Sequence, residues 1–534
     1  MKRLFTQFVA LLSVLLLPAL VHGQARTIVN IDKVETKQAR RQDVSRPLRE
    51  ILPLAVTTSR RDFEPKRFGV PPTDLTPSPK RVSEAAVLQS FAAPSIAITQ
   101  GLNFEGIGQG QYGHTVNVAP PDTTGDVGAT QYVQWVNLAF AVFDKTSGAL
   151  LYGPAAGNTL WAGFGGPCQT SNDGDPLVQY DQLANRWVLT QFAVPGGTAG
   201  YHQCVAVSQT ADATGAWNRY QFDYTAFNDY PHMGIWPDAY YIAYNMFNNG
   251  TTYAGSRVCA LDRAKMLAGL PATQQCFQTS TAFGGLLPSD LDGSTPPPVG
   301  SPNYVLNFGT NKLNLWKFHV DWTTPANSTF TGPAAIPVAT FAAGCGGGTC
   351  VPQPSTNQKL DSLGDRLMYR LAYRNFGTFE NLVVNHTVKV GTTTKNPYTG
   401  VRWYELRNPG GTPTVFQQGT FSPDTNYRWM GSAAMDKAGN LAIGFSVSST
   451  TVRPGIRFAA RTSTDPAGTL SSETVIQPGI GSQLANLARW GDYSTLSVDP
   501  VDGCTMWFTN EYLRADGTFN WNTRIGSFKL QGCQ

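Results

Sequence analysis

The feature that most constrains the fold is one phrase that recurs along most of the chain. A short strand, a tight Asp turn and a second strand rich in aromatic and β-branched residues follow one another, most clearly over residues 489–512. Clear copies begin near 175, 229 and 428, and weaker copies near 122, 290 and 365. Successive copies therefore start 53, 54, 61, 75, 63 and 61 residues apart. This periodicity indicates a repeat architecture in which each copy buries its faces against its neighbours.

Seven copies of this size predict an all-β fold, a seven-bladed β-propeller, with six or eight blades as alternatives because the copy near 290 is poor. Charged residues make up only 14% of the chain and glycines number 53, which is typical of short strands joined by turns. The last copy has three strands of its own. Residues 101–108, where Phe104 and Ile107 alternate, are predicted to supply its missing outer strand.

The region before the repeats predicts export. Residues 1–23 combine Lys2 and Arg3 with an apolar run over 9–21, the pattern of a signal peptide. We expect residues 24–98 to be a flexible basic leader, or a pro-segment cut at a basic pair, and residues 99–534 to form the propeller. The leader segment 25–82 has a net charge of +6 and residues 83–534 have −4, which argues against a nucleic-acid surface. A secreted, extracellular or periplasmic monomer without a membrane span is expected.

The eight cysteines agree with export, because an even number in an exported chain favours disulfides. Their spacing suggests that neighbours pair, although eight cysteines allow 105 pairings. The suggested pairs are Cys168–Cys204, Cys259–Cys276, Cys345–Cys350 and Cys504–Cys533.

Polar residues open the repeats, and the first strand of each blade lines the channel of a propeller. Arg366, Arg428 and Arg489 begin three successive copies, so superposed copies would bring three guanidinium groups to one mouth. Such a cluster suits the carboxylate or sulfate of an anionic sugar. The alternative is that each arginine pairs with a nearby Asp and ties blades together. The other predicted ligand-binding residues are Asp175, Asp229 and Trp490, although recurring Trp also fills the gaps between blades.

Acidic turns suggest a second kind of site. Clustered carboxylates are the ligands that Ca²⁺ prefers, so one calcium ion is the only cofactor that the sequence suggests. Asp also caps turns by bonding its own backbone, which is the alternative role for these residues. The predicted metal ligands are Asp122, Asp126, Asp173, Asp290 and Asp292.

Bond cleavage would need carboxylates at suitable distances, and glutamate is scarce after residue 100. Glu511 lies on a predicted second strand and could face the channel or solvent. Asp492 precedes Tyr493, which could act as a carboxylate-assisted phenol nucleophile or pack between blades. These three are the predicted catalytic residues.

Residues 120–128 read Pro-Pro-Asp-Thr-Thr-Gly-Asp-Val-Gly and residues 134–137 read Gln-Trp-Val-Asn. This opening resembles a functionally uncharacterised family of secreted bacterial β-propeller proteins, over about residues 100–534. The resemblance implies fold and export. The three arginines are also distantly similar to those of sialidases, although the chain lacks clean Ser-x-Asp-x-Gly-x-x-Trp boxes.

Three functions follow as hypotheses. The first is a secreted propeller that binds an acidic or polar glycan at its central mouth. The second is a glycoside hydrolase or lyase acting on an anionic polysaccharide. The third is a non-catalytic surface or matrix protein that offers a platform to a cell-surface or matrix partner. A deep mouth with converging arginines and carboxylates favours the first two, whereas a filled channel favours the third.

Overall fold

A computed structural model describes residues 33–57, 61–62, 82–196, 200–391 and 398–534. The predicted signal peptide lies outside these residues. The fold is all-β, and its main body consists of antiparallel units of four strands. Their strands are, for unit 1, Thr124–Val127, Gln131–Val136, Ala139–Asp144 and Leu150–Ala156; for unit 2, Gly174–Asp181, Arg186–Ala193, Tyr201–Ser208 and Trp217–Tyr224; for unit 3, Phe227–Ile235, Tyr240–Asn248, Thr252–Leu261 and Thr273–Gln278; for unit 4, Leu287–Asp292, Asn303–Gly309, Lys312–His319 and Thr329–Pro337.

The later units follow the same plan. Their strands are, for unit 5, Met368–Asn375, Glu380–Val390, Tyr398–Arg407 and Thr414–Phe421; for unit 6, Tyr427–Met435, Leu441–Ser448, Gly455–Arg461 and Thr474–Gln477; for unit 7, Thr495–Val498, Thr505–Leu513, Trp521–Leu530 and Ile98–Glu105. The last strand of unit 7 comes from the start of the propeller region and pairs antiparallel with Trp521–Leu530. This strand closes the ring at the segment where the alternation of residues 101–108 predicted it.

The first strands of the units contact one another in order, and the first strand of unit 7 returns to that of unit 1. The predicted all-β propeller is therefore confirmed. The first strands of units 4 and 5 also pair in parallel, which joins the two units into one nine-stranded sheet. Because that sheet is continuous, the count of seven blades stays a prediction.

The remaining elements are short. Further strands are Glu35–Gln38, Arg41–Val44, Arg61–Asp62, Leu88–Gln89, Val118–Ala119, Thr349–Val351 and Leu360–Asp361; the α-helices are Pro167–Thr170 and Arg263–Leu267; the 3-10 helices are Leu48–Glu50, Glu84–Ala86, Gln111–Gly113, Gly157–Trp161, Pro325–Asn327 and Gly344–Gly347. No helix of the described residues is long and apolar enough to cross a membrane.

Part of the predicted flexible leader belongs to the fold. Glu35–Gln38 adds a fifth strand to unit 3, and Arg41–Val44 adds one to unit 2. Leu88–Gln89 pairs in parallel with the outer strand of unit 5. These strands have only two to four residues. Each forms by pairing with the edge of another sheet, and its own sequence carries no strand signal. The domain boundaries at residues 23 and 98 remain predictions.

Aromatic residues hold the units together. Ten Trp side chains are fully buried among the units: Trp135, Trp161, Trp187, Trp217, Trp236, Trp316, Trp403, Trp429, Trp490 and Trp521. Truncating a buried aromatic residue of this kind to Ala typically costs about 3–5 kcal/mol of stability. The recurring Trp of the repeat is therefore mainly a packing residue.

All eight cysteines are paired, and the pairs are the four that the spacing suggested. Cys504–Cys533, for example, joins the start of the second strand of unit 7 to the end of the chain. Four disulfides are typical of proteins that fold in an oxidising compartment.

Candidate functional site

The first strands of several units are distorted at one equivalent point. Their register shifts between Gly174 and Leu177 in unit 2, and the same shift recurs in units 3 and 6. Asp175 and Tyr230 lie inside these bulges with φ of 44° and 53°, and Asp122, just before unit 1, has φ of 44°. The left-handed region is uncommon for residues other than glycine, and bulges turn a side chain away from its regular direction. These bulges bring the residues together at one end of the channel.

This end of the channel is rich in carboxyl groups, and we call it the acidic mouth. Its members interact with one another through hydrogen bonds, ion pairs or electrostatic coupling. The acidic mouth consists of Asp122, Asp175, Asp229, Asp361, Asp365, Arg366, Arg489, Asp492 and Glu511. Seven carboxyl groups therefore face two guanidinium groups.

Both arginines of the acidic mouth are already bound to carboxylates. Arg366 donates from Nε to Asp365 Oδ1 at 2.7 Å and from Nη2 to Asp365 Oδ2 at 3.0 Å. Arg489 forms an ion pair with Asp492. Burial lowers the pKa of each arginine, but the nearby carboxylates outweigh it and raise the pKa overall. The guanidinium groups stay charged, and their charge is balanced inside the protein.

Further hydrogen bonds fix the carboxyl groups. The Asp122 carboxylate accepts from the backbone N–H of Asp492 at 3.1 Å and from Asn137 Nδ2 at 2.8 Å. Tyr493 donates its hydroxyl to Asp175 Oδ2 at 2.8 Å, and Glu511 Oε2 accepts from the Gly491 N–H at 2.9 Å. Residues of units 1, 2 and 7 are thus linked across the axis.

Burial and mutual repulsion favour the protonated forms of these acids. Burial, reinforced by Asp492 and Asp175, raises the pKa of Asp122 well above its usual value. Burial and the neighbouring Asp229 raise the pKa of Asp175 to about 8. Burial raises the pKa of Asp492 to about 6 against the opposing effect of Arg489, and burial also raises the pKa of Glu511. The cluster can hold and release protons near neutral pH.

Solvent reaches only part of the acidic mouth. Asp175 and Asp229 are half-buried, whereas Asp122, Asp492 and Glu511 are buried. Oδ1 of Asp492 and Oε1 of Glu511 have no hydrogen-bond partner within the described ranges of the chain. Buried polar atoms of this kind require an ordered water or a ligand group. Asp175 and Asp229 are the residues that an incoming molecule would meet first.

An aromatic layer fills the channel next to the acidic mouth. It consists of Tyr230, His232, Tyr369 and Tyr493, whose neighbouring ring centroids lie 4.4–6.4 Å apart. The guanidinium carbon of Arg366 lies 4.6 Å from the centre of the Tyr230 ring. Burial lowers the pKa of His232 to about 3, so this ring is neutral. The layer joins side chains of units 3 and 5 to Tyr493, just before unit 7, beside the acidic mouth.

A second charged cluster lies further along the same first strands, beyond the aromatic layer, and we call it the arginine lock. Arg370 donates to Asp290 at 3.0 Å and to both oxygens of Asp292 at 2.7 and 2.8 Å, and to the carbonyl of Leu496 at 3.2 Å. Asp126 completes the cluster by accepting the backbone N–H of Tyr180 at 2.7 Å. Units 1, 2, 4, 5 and 7 are joined there.

The predicted site residues fall into several places. Asp175, Asp229, Arg366, Arg489, Asp492, Tyr493 and Glu511 come together with Asp122 at or beside the acidic mouth. The structure corrects the prediction for Arg428, which donates to Asp424 at 2.8 Å and pairs with Glu473. Its guanidinium carbon lies 5.7 Å from the Phe421 ring of unit 5, so it ties units 5 and 6 together.

Trp490 is also not a ligand platform. Its ring is fully buried, packs against Trp429 at 5.8 Å and donates to Ser446 Oγ at 3.0 Å. Tyr493 also differs from the prediction, because its hydroxyl is bound to Asp175 rather than to Asp492. Burial, together with Asp175, raises the pKa of Tyr493 well above its usual value, which disfavours a phenolate nucleophile.

The predicted calcium ligands do not form one group. Asp122 belongs to the acidic mouth, whereas Asp126, Asp290 and Asp292 surround Arg370. Asp173 accepts the backbone N–H of Val194 at 2.6 Å, just after the second strand of unit 2. No group of three or more His, Cys, Asp or Glu residues that could hold a metal ion occurs in the part of the chain that the structure describes.

Several members of the site were not predicted from the sequence. Tyr230 and Asp175 occupy the same position of the repeat, which is the signal that could have identified Tyr230. The sequence carries no such signal for three further members. Asn137 reaches the axis from a turn, Tyr369 from a strand and Asp361 from a short hairpin.

Comparisons with known proteins do not assign the chain to a family. No protein-family model and no curated protein matches the chain. Among solved structures it is similar to the α-L-arabinofuranosidase Arb93A from Fusarium graminearum in complex with an iminosugar inhibitor (7% identity, 83% of this chain, 99% of that chain, TM-score 0.34). It is also similar to an ulvan lyase from a new family of polysaccharide lyases (11% identity, 79% of this chain, 93% of that chain, TM-score 0.35). A third similar structure is the N-terminal domain of Nup159 (9% identity, 83% of this chain, 99% of that chain, TM-score 0.35). Two of the three act on glycans, but likeness at these values carries no argument about function.

Proposed function

We propose that the protein binds an uncharged, polyhydroxylated glycan at the acidic mouth. The observation that carries this proposal is the excess of carboxyl groups over guanidinium groups, with Asp175 and Asp229 in contact with solvent. Export of the chain, which its N-terminal sequence predicts, fits an extracellular or periplasmic glycan as the partner.

The charge balance favours an uncharged glycan over an acidic one. Arg366 donates to both oxygens of Asp365 and Arg489 pairs with Asp492, so a ligand carboxylate or sulfate would compete with these internal partners. It would also approach those of the remaining carboxyl groups that are ionised, and like charges placed together cost several kcal/mol. The arginines therefore organise the acidic mouth and do not receive an anion.

Sugar hydroxyl groups match the chemistry of this site. Each hydroxyl offers one donor and two acceptor positions. An ionised carboxylate accepts from such a donor, whereas a protonated carboxyl can also donate. With a pKa of about 8, Asp175 is mostly protonated at neutral pH and can donate to a sugar oxygen. Asp229 lies close enough to raise that pKa and offers further acceptor oxygens.

The test uses two isosteric variants, Asp175→Asn and Asp229→Asn. Asn at 175 keeps an oxygen that accepts from Tyr493, so the fold should persist. The wild-type protein should bind uncharged members of a glycan array, and each variant should lose about tenfold or more in affinity by calorimetry, equivalent to about 1.4 kcal/mol. Glu50→Gln, at an exposed ion pair with Arg46, is the matched control and should bind as wild type does.

A panel of uncharged glycans that shows no binding at pH 5.5 or 7.5 would contradict the proposal. Selective binding of uronic or sulfated glycans would contradict it as well. After the first outcome, the remaining hypothesis would be a protein-interaction platform. The aromatic layer that fills the channel supports that hypothesis.

Hydrolysis of the bound glycan is the second candidate. Asp175 and Asp492 have pKa values raised to about 8 and about 6 in one cluster, and a proton donor beside an ionised carboxylate is what glycoside hydrolysis requires. Tyr493 would then orient Asp175. Release of reducing sugar from an uncharged polysaccharide, lost in Asp175→Asn and retained in Glu50→Gln, would support the enzyme.

A further inference from the structure

A groove of about 500 Å³ lies between the leader, unit 1 and the entry to unit 2, and we call it the leader groove. A volume of this size is within the usual range of ligand sites. Its walls include Leu54, Ala55, Ala156, Asn172, Asp173 and Val194.

The lining is polar but almost uncharged. Hydroxyl and amide groups alternate with small apolar side chains, and Asp173 is the single charged residue in the described wall. The Asp173 carboxylate accepts the N–H of Val194, so it is partly used by the protein. This chemistry fits a ligand with many hydroxyl groups and no charge.

Buried polar atoms lie close to Gly157, which stands between the wall residues Ala156 and Asn158. Gln191 is fully buried, and neither atom of its amide has a hydrogen-bond partner in the described chain. Asn172 Oδ1 is in the same condition. Both approach Gly157, where an added Cβ would lie 2.5 Å from Gln191 Oε1 and 2.7 Å from Asn172 Oδ1. Such groups require a bound water or ligand atom, since burying them unpaired costs about 1–3 kcal/mol each.

The leader groove and the acidic mouth are neighbours along the chain. Asp173 precedes Asp175 by two residues, and the segment between them enters the first strand of unit 2. The leader wall is fixed in place by hydrogen bonds to unit 1 and the turn after it. The N–H of Ala156 donates to the carbonyl of Leu54 at 2.8 Å, and the N–H of Leu54 donates to Thr159 Oγ1 at 3.1 Å.

From this geometry we infer that the leader groove is a second subsite for the same uncharged glycan, beyond the sugar held by the acidic mouth. This inference rests on the proposed function. It makes leader residues 54–57 a permanent part of the binding surface, rather than a pro-segment that is removed.

The test blocks the groove without touching the acidic mouth. Ala55→Trp places a large side chain at an exposed position of the groove wall, and Leu52→Trp places one at a leader residue that is 85% exposed and outside the wall. Binding is measured by calorimetry with length series of linear, uncharged oligosaccharides of xylose, arabinose, glucose and galactose. Ala55→Trp should weaken the longer members about tenfold, equivalent to about 1.4 kcal/mol, and leave the shortest binding member unchanged. Leu52→Trp should change neither.

The outcomes separate the two proposals. If no oligosaccharide binds the wild-type protein, the proposed function fails. If short and long members bind equally, or Ala55→Trp weakens both to the same extent, the acidic mouth binds glycan but the leader groove is not a subsite. An exported protein whose measured mass lacks residues 54–57 and which still prefers longer oligosaccharides would also overturn the inference.

Discussion

Replacing Arg370 with Met is expected to lower the free energy of unfolding by about 3–5 kcal/mol, the usual cost of removing one partner of a buried ion pair. Arg370 is buried and holds Asp290, Asp292 and the carbonyl of Leu496. Its loss leaves two buried carboxylates without their cation in the wall of the channel. Denaturation in urea, followed by tryptophan fluorescence, measures the change.

Two further variants define the cause of that loss. Adding Asp290→Asn and Asp292→Asn to Arg370→Met should restore part of the stability, because the remaining groups are then neutral. Arg46→Met removes an arginine whose side chain is 72% exposed and should change stability by less than about 0.5 kcal/mol. A loss of less than about 1 kcal/mol in Arg370→Met would mean that the arginine lock does not hold the units together.

The free energy of unfolding is expected to be larger at pH 5 than at pH 8, by about 2 kcal/mol or more. Burial raises the pKa of Asp175 to about 8, of Asp290 to about 7, and of Asp126 and Asp492 to about 6. Between these values and the ordinary Asp pKa, the native state holds protons that the unfolded state has released. Stability must therefore fall as the pH rises through this window, by about 1.4 kcal/mol per pH unit for each such proton.

Asp175→Asn isolates the upper part of the window. It should flatten the dependence between pH 7 and pH 8, where the histidines no longer titrate in either state. Between pH 5 and pH 7 the other raised acids lower stability as the pH rises, while buried His114 and His232, whose pKa values are lowered to about 4 and about 3, oppose them. Acids with lowered pKa values, such as Asp502 at about 2, act only below this range. A free energy of unfolding that is larger at pH 8 than at pH 5 would contradict this prediction. It would mean that the four acids with raised pKa values are ionised in the folded protein at little cost.

The repeat predicted the fold because every copy must solve the same packing problem. Trp429 and Trp490 occur at the same place in two copies, and both are buried between units. The disulfides followed from the spacing of the cysteines, and one pair, Cys259 and Cys276, lies directly opposite on adjacent strands of unit 3. The sequence also predicted the strand that closes the ring. Phe104 and Ile107 alternate in a segment that could complete the last unit, and the strand Ile98–Glu105 does complete it.

The candidate site was less predictable, because its chemistry depends on which side chains meet. Arg366, Arg428 and Arg489 look alike in the sequence, but Arg428 lies before the bulge of unit 6, opposite Val447, and binds Asp424 and Glu473. The sequence also shows no sign that Asp361 joins the cluster. Together the seven carboxyl groups outnumber the two guanidinium groups at a place where the sequence predicted an anion site.

The leader was unpredictable for a different reason. Glu35–Gln38 and Arg41–Val44 have no apolar alternation, because their role is to cap the edges of units 2 and 3 through backbone hydrogen bonds. Open sheet edges are prone to unwanted pairing, and a strand from the same chain removes that hazard. Side-chain patterns carry little information about such contacts.

The central claim is that the acidic mouth selects an uncharged glycan. Its most direct test is calorimetry at low salt with two oligosaccharides of equal length and linkage, one built from a neutral sugar and one from the corresponding uronic acid. We expect the neutral oligosaccharide to bind the wild-type protein and to lose about tenfold or more in affinity with Asp175→Asn, while the uronic acid binds at least about tenfold more weakly than its neutral counterpart. Tighter binding of the uronic acid, weakened by Arg489→Met, would contradict the account.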